Sequence, residues 1–236
     1  MLSVKNLSIQ YNSTNKLAVD KVSFDVNEGM ILALLGPSGC GKTTILNAIS
    51  GLLDESQADI QGIIRFSTVL KPVVTTVFQE PRLLPWRRVL RNVSYGLEAR
   101  GERLTDAVDK ARTALKMVGL EDYEDYYPHQ LSIGMAQRVN LTLALVCNPS
   151  ILLLDEPFSA LDVEVKESIQ EQFKEILRRN NTTGIFVTHN VEEAFLLADS
   201  ILTLSESPAT VKQTLNKKDF KNVPDEAVNE LIGPFE

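Results

Sequence analysis

The fold is decided by residues 30–51, MILALLGPSGCGKTTILNAISG. The opening MILALL is uniformly apolar, as expected of a strand that is covered on both faces in a mainly parallel sheet. The closing TTILNAISG is typical of a helix that ends at Gly51, a residue suited to a left-handed helix terminus. Between them, residues 36–43 match the P-loop pattern in the strand–loop–helix context that makes such a match specific. We therefore predict an α/β fold with a phosphate-binding loop.

The residue types of this loop suit phosphate binding. Glycines let the backbone curl until its N–H groups converge on the phosphates, and the following helix adds a favourable dipole. We expect the Lys42 ammonium to bridge the β- and γ-phosphates of a nucleotide and the Thr43 hydroxyl to hold Mg²⁺. Cys40 occupies a variable position that requires a small side chain. The expected nucleotide-binding residues of the loop are Gly36, Pro37, Ser38, Gly39, Cys40, Gly41, Lys42, Thr43 and Thr44.

A second motif with chemical meaning is ILLLDEP at residues 151–157. Its apolar strand delivers Asp155 and Glu156 at a carboxyl end, and open α/β sheets bind ligands at that edge. Asp155 is suited to hold Mg²⁺ through water, and Glu156 to polarise an attacking water as general base. An acidic pair can also end a strand for structural reasons alone. The P-loop upstream favours the phosphoryl-transfer interpretation.

The remaining patterns organise the chain around these two motifs. Two early segments, SVKNLSIQY and DKVSFDV, alternate apolar and polar residues, which predicts an antiparallel edge. Strand-like patterns occur in GIIRF and VVTTVF. Buried-strand patterns then return in ILLLD, GIFVTH and SILTLS, separated by helical stretches near 162–179 and 191–198, which predicts βαβ units with right-handed crossovers in a mainly parallel sheet. Residues 86–148 have helical spacing instead, with Thr105 as a predicted N-cap, Gly119 as a stop and a helix over 133–147.

A division of the chain follows from these patterns. We predict a nucleotide-binding core made of residues 1–85 and 149–206, interrupted by a helical subdomain at 86–148. Residues 207–236 are expected to form a polar tail without a motif, in which PDEAVNELI forms a short helix that carries Pro224 in its first turn.

Composition narrows the classes of function. The 236 residues are 44% hydrophobic, enough for a sizeable core, and the net charge of −7 disfavours a nucleic-acid backbone as the main ligand. The N-terminal residues lack the apolar segment of a signal peptide, and no apolar run approaches the roughly 18 residues that span a bilayer. Cys40 and Cys147 show no metal-type spacing and are interpreted as reduced packing thiols.

Six motifs in one order identify a family. GPSGCGKT is followed by Gln79 in VFQEP, LSIGM at 131–135, ILLLDEP, SALD at 159–162 and His189 in VTHN. Over roughly residues 1–205 the chain resembles the nucleotide-binding subunit of an ATP-binding cassette (ABC) transporter. The resemblance implies a P-loop, RecA-like fold and an ATPase that uses ATP and Mg²⁺.

The resemblance also assigns roles to single residues. Gln79 is implied to sense Mg²⁺ and the γ-phosphate, and His189 to contact the γ-phosphate and the attacking water, although a histidine that ends a strand is often simply packed. Tyr11 is similar to the aromatic residue that stacks on adenine, unless it is only a strand-end tyrosine. Asp162 is implied to lie at the interface with a second copy of the chain.

The LSIGMAQR segment is implied to serve the site of that second copy. In the family, two subunits pack head to tail, and each ATP lies between the P-loop of one and the signature turn of the other. Ser132 and Gly134 are implied to contact the partner's γ-phosphate. Ile133 stands where the family commonly has glycine, and Ala136 where a basic residue is frequent. With Ser132 as N-cap, Ile133 becomes the first residue of a helix and needs only ordinary right-handed dihedrals.

Residues 79–93, QEPRLLPWRRVLRNV, resemble those of importers for nitrate, sulfonates such as taurine, and similar solutes. The resemblance implies a transmembrane permease subunit in contact with the region Pro81–Trp86, a solute-binding protein as an indirect partner, and a peripheral position at the cytoplasmic face of the inner membrane. Trp86 is either an interface anchor or a core residue of the helical subdomain. A non-transport ABC ATPase and an ATP-binding regulatory protein are the alternatives.

Overall fold

The computed structural model describes residues 2–67 and 72–220. The strands are β1 (Leu2–Tyr11), β2 (Leu17–Val26), β3 (Ile31–Leu35), β4 (Ala58–Phe66), β5 (Val74–Val77), β6 (Ile151–Asp155), β7 (Thr183–Thr188), β8 (Ser200–Leu204) and β9 (Val211–Asn216). The helices are α1 (Lys42–Ser50), α2 (Val89–Glu98), α3 (Leu104–Met117), α4 (Ile133–Val146), α5 (Val163–Arg179), α6 (Val191–Leu197) and α7 (Lys217–Phe220). The fold class is α/β, as predicted.

A six-stranded sheet in the order β5-β6-β7-β3-β8-β9 forms the centre of the molecule. Neighbouring strands are parallel except β9, which is antiparallel to β8. The register pairs Leu35 with Thr188 and Asp155 with Val187, so these strands end at nearly the same level. The residues that follow β3, β5, β6 and β7 therefore lie along one edge of the sheet, where ligands bind in open α/β sheets.

The predicted antiparallel pair belongs to a separate three-stranded sheet in the order β2-β1-β4. The segment GIIRF, predicted as a strand, lies in β4 of this sheet. Apolar residues of β1 and β2 pack with residues of β3, β6 and α1 in one buried cluster, which includes Ile9, Val22, Leu34 and Ile45. Burial of this apolar surface attaches the antiparallel sheet to one face of the central sheet.

The opposite face of the central sheet is covered by α4, α5 and α6. A second buried cluster joins them to the strands and includes Leu145, Phe158, Phe173 and Leu197. Phe158 and Phe173 meet edge to face with ring centroids 5.5 Å apart, an arrangement that aromatic pairs prefer. The central strands β3, β6 and β7 are therefore buried on both sides, as their largely apolar sequences predict.

Helices α2, α3 and α4 lie between β5 and β6 in the chain and have a small core of their own, which includes Val93, Ala111, Leu115 and Val139. Helix α3 begins at Leu104 after Arg103, so the prediction of Thr105 as its N-cap is wrong. The Thr105 hydroxyl donates to the Asp106 carboxylate and caps no backbone N–H. Because α4 contributes to both this core and the second cluster, it connects the helical segment to the sheet.

The segment after residue 206 contains a strand that the sequence did not reveal. Strand β9 pairs with β8, with Leu215 opposite Ile201. The short helix predicted around Pro224 lies outside the described residues. No helix within residues 2–67 and 72–220 is long and apolar enough to cross a membrane.

Candidate nucleotide-binding site

The P-loop connects β3 to α1 and forms the floor of the site. Gly39 and Gly41 have positive φ angles of 74° and 125°, which L side chains rarely adopt. A Cβ at Gly41 would lie 2.6 Å from the carbonyl oxygen of Ala18, so this position has no room for any side chain. No side chain among the described residues caps the N-terminus of α1, and its first turn contains no acidic residue. The backbone N–H groups at the N-terminus of α1 therefore have no side-chain acceptor among the described residues and suit an anionic ligand.

Lys42 is the first residue of α1, its side chain reaches back to the loop, and it is only 5% exposed. Its ammonium donates to the carbonyl oxygen of Gly36 at 2.6 Å and to that of Pro37 at 2.7 Å. These two hydrogen bonds fix the Lys42 ammonium against the backbone of the loop. Within the described part of the chain this buried ammonium bonds to neutral carbonyls and to no carboxylate, so it is suited to bind an anion such as a phosphate.

Thr43 and Asp155 are the residues of the site best suited to a cation. The Thr43 hydroxyl donates to the Asp155 carboxylate at 2.8 Å. Burial raises the pKa of the Asp155 carboxyl, and the nearby charge of Glu156 adds to this rise, while the Thr43 bond and the charge of Lys42 oppose it. Asp155 is only 8% exposed and forms no ion pair with a described residue, so its charge fits a bound cation.

The oxygen donors at this point suit Mg²⁺ in particular. Magnesium prefers hard oxygen ligands and is usually held by one or two carboxylates together with substrate phosphates. The described residues contain no cluster of three or more His, Cys, Asp or Glu side chains that could hold a metal ion. Thr43, Asp155 and Gln79 line the same cleft and carry oxygen atoms that would suit Mg²⁺.

Three polar side chains, Gln79, Glu156 and His189, form a polar group above the loop, and Glu156 lies at its centre. Its carboxylate oxygens lie 3.1 Å from His189 Nδ1 and 3.4 Å from Gln79 Nε2. Its φ of 45° is unusual for a residue other than glycine, and such conformations concentrate at functional sites. The Glu156 N–H donates to the carbonyl of Val187 at 3.0 Å, which ties the turn after β6 to β7. Three strand ends thus bring an acid, an imidazole and an amide together.

A cleft of about 360 Å³ contains these groups and extends to Tyr11. It is lined by Tyr11, Lys16, Ala18, Ser38, Gly39, Gly41, Lys42, Thr43, Thr44, Gln79, Asp155, Glu156, Val187, His189 and Ser207. Tyr11 ends β1 at one side of the cleft, and its hydroxyl lies 3.0 Å from Thr44 Oγ1. That bond orients the ring beside the start of α1, where an adenine ring could stack on it.

The predicted loop residues Gly36, Pro37 and Cys40 lie behind the surface of the cleft. Cys40 is 2% exposed, and a Cβ at Gly36 would lie 3.2 Å from its sulfur. Cys40 therefore packs the back of the loop, as expected of a small side chain. Cys147 is also a free thiol, and burial raises its pKa.

The signature turn lies outside this cleft. Ser132 is the N-cap of α4, and its hydroxyl accepts from the Met135 N–H at 3.2 Å. Ile133 is the first residue of the helix, as predicted, and is 72% exposed. Gly134 is the constrained position, since a Cβ there would lie 3.2 Å from the carbonyl of Ala160 and 3.8 Å from an Asp162 oxygen.

These positions place Ser132, Gly134 and Asp162 together on one surface, and none of the three lines the cleft that contains the P-loop. Two contacts link this surface to the cleft. Buried Gln137 of α4 donates to the carbonyl of Pro157 at 3.0 Å, next to Glu156. Asn140 donates to the carbonyl of Phe78 at 3.4 Å, next to Gln79.

Several cleft residues were missed in the sequence. Lys16, Ala18 and Ser207 belong to no motif and reach the cleft through pairing of distant segments. The Ala209 N–H donates to the Ala18 carbonyl at 2.9 Å, and the Asp20 N–H donates to the Ala209 carbonyl at 2.9 Å.

Fold and site together define the class: a P-loop nucleotide-binding protein whose phosphate loop, cation-binding carboxylate and polar group above the loop lie at the carboxyl edge of one sheet. Comparison with known proteins makes the class specific. The family model described as ABC transporter matches residues 19–159. The chain belongs to the ABC transporter family and is one of its ATP-binding, ATP-hydrolysing cassettes.

Two relatives show how far the similarity extends. An uncharacterised ABC transporter ATP-binding protein of Methanocaldococcus jannaschii is 38% identical over 235 residues, covering 98% of this chain and 87% of the relative. The taurine import ATP-binding protein TauB of Yersinia pestis is 40% identical over 225 residues, covering 92% of this chain and 84% of that protein.

A solved structure agrees with these relatives. A dimeric ATP-binding cassette in a post-hydrolysis state, bound to ADP and Pi, superposes with a TM-score of 0.83 at 28% identity and covers 93% of this chain and 100% of that one. The predicted family and fold are therefore confirmed.

Proposed function

We propose that the chain is the ATP-hydrolysing subunit of an ABC importer for a small solute, and that it works as a head-to-tail dimer beneath a separate membrane permease. The observation that carries the hydrolytic part is the position of Glu156. Its carboxylate lies between His189 and Gln79, directly above the P-loop. A protein that only bound ATP would not need a carboxylate at this point. The second substrate is water.

Each polar residue has a distinct task in this proposal. Glu156 accepts the proton of the attacking water as general base. His189 orients that water and contacts the γ-phosphate, and Gln79 reports on the cation and the γ-phosphate. Lys42 binds the β- and γ-phosphates. When bound, Mg²⁺ would offset the phosphate charge, and Thr43, Asp155 and Gln79 are the residues that would hold it.

The dimer in this proposal rests on the separation of the two phosphate-binding segments. Ser132 and Gly134 lie outside the cleft of their own chain, while Ile133 between them is 72% exposed. An exposed helix N-terminus offers N–H groups to an anion from outside the chain. A solved cassette of similar fold is dimeric with ADP and Pi bound, which supports a dimer here. In this proposal, Ser132, Gly134 and Asp162 of a second copy complete the ATP-binding site of the first chain.

The solute class rests on the named relatives. The TauB proteins import taurine by name, and a relative from Borreliella afzelii, 33% identical, is named as a spermidine/putrescine import protein. The higher identity to TauB and the motif at residues 79–93 favour nitrate, taurine or a similar sulfonate. Solute choice would then lie in the permease and in a solute-binding protein, and the cassette would sit peripherally on the cytoplasmic face of the membrane.

Affinity purification of the chain from native membranes in mild detergent, with mass spectrometry, tests this proposal. We expect a permease to co-purify, and the purified complex in proteoliposomes to take up taurine or nitrate in an ATP-dependent way. Co-purification of ribosomal or DNA-repair proteins instead would favour a non-transport ABC ATPase. A complex that binds ATP without turnover would favour a regulatory protein.

Trp86 provides a test of the permease contact. It is 71% exposed, so the alternative in which it fills the helical core is wrong. Beside it, the Arg87 guanidinium lies 4.6 Å from the centre of the Tyr95 ring. We expect Trp86→Ala to weaken binding to the permease by about 30- to 1,000-fold, as for buried interface tryptophans. Co-purification with the permease measures the loss.

Met117→Ala is the matched control for this test, because Met117 is a 46% exposed apolar residue of the same helical segment. It should leave the complex intact. ATP binding to the isolated chain should be unchanged in both variants. If Trp86→Ala co-purified with as much permease as the wild type, Trp86 would not belong to the interface.

Ile133 tests whether the signature turn needs a second glycine. Ile133 has ordinary helical geometry and no crowded neighbours, so Ile133→Gly removes no strain. We expect it to change ATP turnover of the assembled transporter by less than about tenfold, below the loss of one charge-assisted hydrogen bond. Steady-state phosphate release measures this change. A hundredfold increase would show that the native turn is impaired.

A further inference from the structure

Glu193 is a buried carboxylate that the proposed chemistry does not use. It lies in the first turn of α6 and is 5% exposed. One carboxylate oxygen forms an ion pair with Lys166 of α5, and the other accepts from the Thr188 hydroxyl at 2.7 Å. Both carboxylate oxygens of Glu193 therefore have a partner, and the side chain is buried from solvent. Such a pair is costly to desolvate, which makes it weak evidence for a purely stabilising role.

The hydrogen bonds around Glu193 hold one particular turn. The Thr188 hydroxyl that donates to Glu193 also accepts from the Asn190 N–H at 3.0 Å. The Asn190 side chain in turn accepts from the Glu193 N–H at 2.9 Å. These bonds close a ring over residues 188–193. The residue enclosed between Thr188 and Asn190 is His189.

His189 depends on this turn because little else holds it. Its side chain is 58% exposed, and its ring nitrogen contacts Glu156 at 3.1 Å. Packing therefore does not fix the imidazole. The direction in which the ring leaves the backbone is set by the turn at the end of β7, and the turn is held by the Thr188 and Asn190 bonds to Glu193.

Lys166 connects the same turn to the surface that carries Asp162. It lies in the first turn of α5, where its N–H donates to the carbonyl of Asp162 at 3.0 Å. Its side chain is 24% exposed, while that of Glu193 is 6% exposed. The Lys166–Glu193 pair is thus the link between the start of α5 and the start of α6.

We propose that Lys166 and Glu193 are a positioning pair for His189. The pair holds the turn at residues 188–190 so that the imidazole stays against Glu156, and it makes this turn and the start of α5 one unit. The inference rests on the proposed function of Glu156 and His189 in hydrolysis. A pair that only joined α5 to α6 would affect stability and leave the chemistry of bound ATP unchanged.

Steady-state hydrolysis by the assembled transporter tests the pair. We expect Lys166→Met to lower kcat by about 10- to 100-fold, the range for a small misplacement of a catalytic group, with the KM for ATP within about threefold of wild type. Lys166→Arg keeps the charge and should restore most of kcat. Thr188→Val leaves the ion pair intact, breaks the hydroxyl bonds and should lower kcat in the same range.

Arg179→Met is the matched control. Arg179 forms an ion pair with Glu175 on the same helix, and both side chains are exposed. This variant should have wild-type kcat and KM. Melting temperatures of all variants, measured without nucleotide, show whether each one is folded at the assay temperature.

A double-mutant cycle separates positioning from stability. In a His189→Ala background, Lys166→Met should cause no further loss of kcat, because the group that it positions is absent. Losses that multiply in the double variant, or a wild-type kcat for Lys166→Met, would overturn the inference. If His189→Ala and Glu156→Gln themselves retained full hydrolysis, the proposed function would fail instead, and the inference with it.

Discussion

Replacing Glu156 with Gln is expected to lower kcat for ATP hydrolysis by about 10²- to 10⁴-fold, the usual contribution of a general base. The amide has the same shape as the carboxylate but cannot accept the proton of the attacking water. His189 and Gln79 lie 3.1 Å and 3.4 Å from the carboxylate and can still bond to the amide after it rotates. The site should therefore keep its geometry and continue to bind ATP.

An ATP-bound dimer should accumulate in this variant, because the step that releases the two chains no longer occurs. Size-exclusion chromatography with saturating Mg-ATP measures the dimer, and single-turnover phosphate release measures the chemical step. Glu192→Gln is the control, since Glu192 is an exposed carboxylate in the first turn of α6. A Glu156→Gln variant that stayed monomeric under these conditions would contradict the shared site.

Much of the fold follows from local sequence patterns. The apolar residues before Gly36 and Asp155 predict the two central strands because strands buried on both faces lack polar alternation. Once those strands are parallel, their carboxyl ends share an edge, so the proximity of Lys42 to Asp155 and Glu156 follows from topology. Ser132 as N-cap of α4 follows from capping chemistry, and the structure has this bond.

Strand β9 shows what local patterns miss. Within Val211–Asn216 Leu215 is the one buried residue, so the segment lacks the alternation that marks a half-buried strand. It forms because β8 offers an unpaired edge and because Asp199 binds the residue that follows β9. The Asp199 carbonyl accepts from the Lys217 N–H at 2.8 Å, and its carboxylate lies 3.9 Å from the Lys217 ammonium. These contacts join residues far apart in sequence.

The residues of the site also fall into those that local motifs predict and those that only long-range contacts reveal. Gln79, Glu156 and His189 could be named because each stands in a short motif with known chemistry. The Lys166–Glu193 pair and Ser207 could not, since their roles depend on contacts between elements separated by many residues. A charged residue in the first turn of a helix looks like an ordinary surface residue, and only its burial against a second helix gives it another meaning.

Replacing Lys42 with Met should have the opposite signature to Glu156→Gln, because ATP binding itself is lost. The methionine side chain has a similar length but no charge, and Lys42 is the buried cation of the loop. We expect ATP affinity to fall by at least about 100-fold, as the loss of charge-assisted bonds to two phosphates implies. Isothermal titration calorimetry with Mg-ATP measures this, with Lys212→Met, an exposed lysine, as control.

Loss of ATP binding in Lys42→Met must be distinguished from loss of the folded structure. The ammonium donates to the carbonyl oxygens of Gly36 and Pro37 at 2.6 and 2.7 Å. Its removal leaves both acceptors without this donor and is expected to lower the melting temperature of the chain. Circular dichroism at the titration temperature must show a folded chain. In a folded variant, undiminished affinity would mean that the backbone N–H groups around Gly39 and Gly41 bind the phosphates alone. Lost affinity together with tight binding by Glu156→Gln would assign binding to the loop and cleavage to the carboxylate.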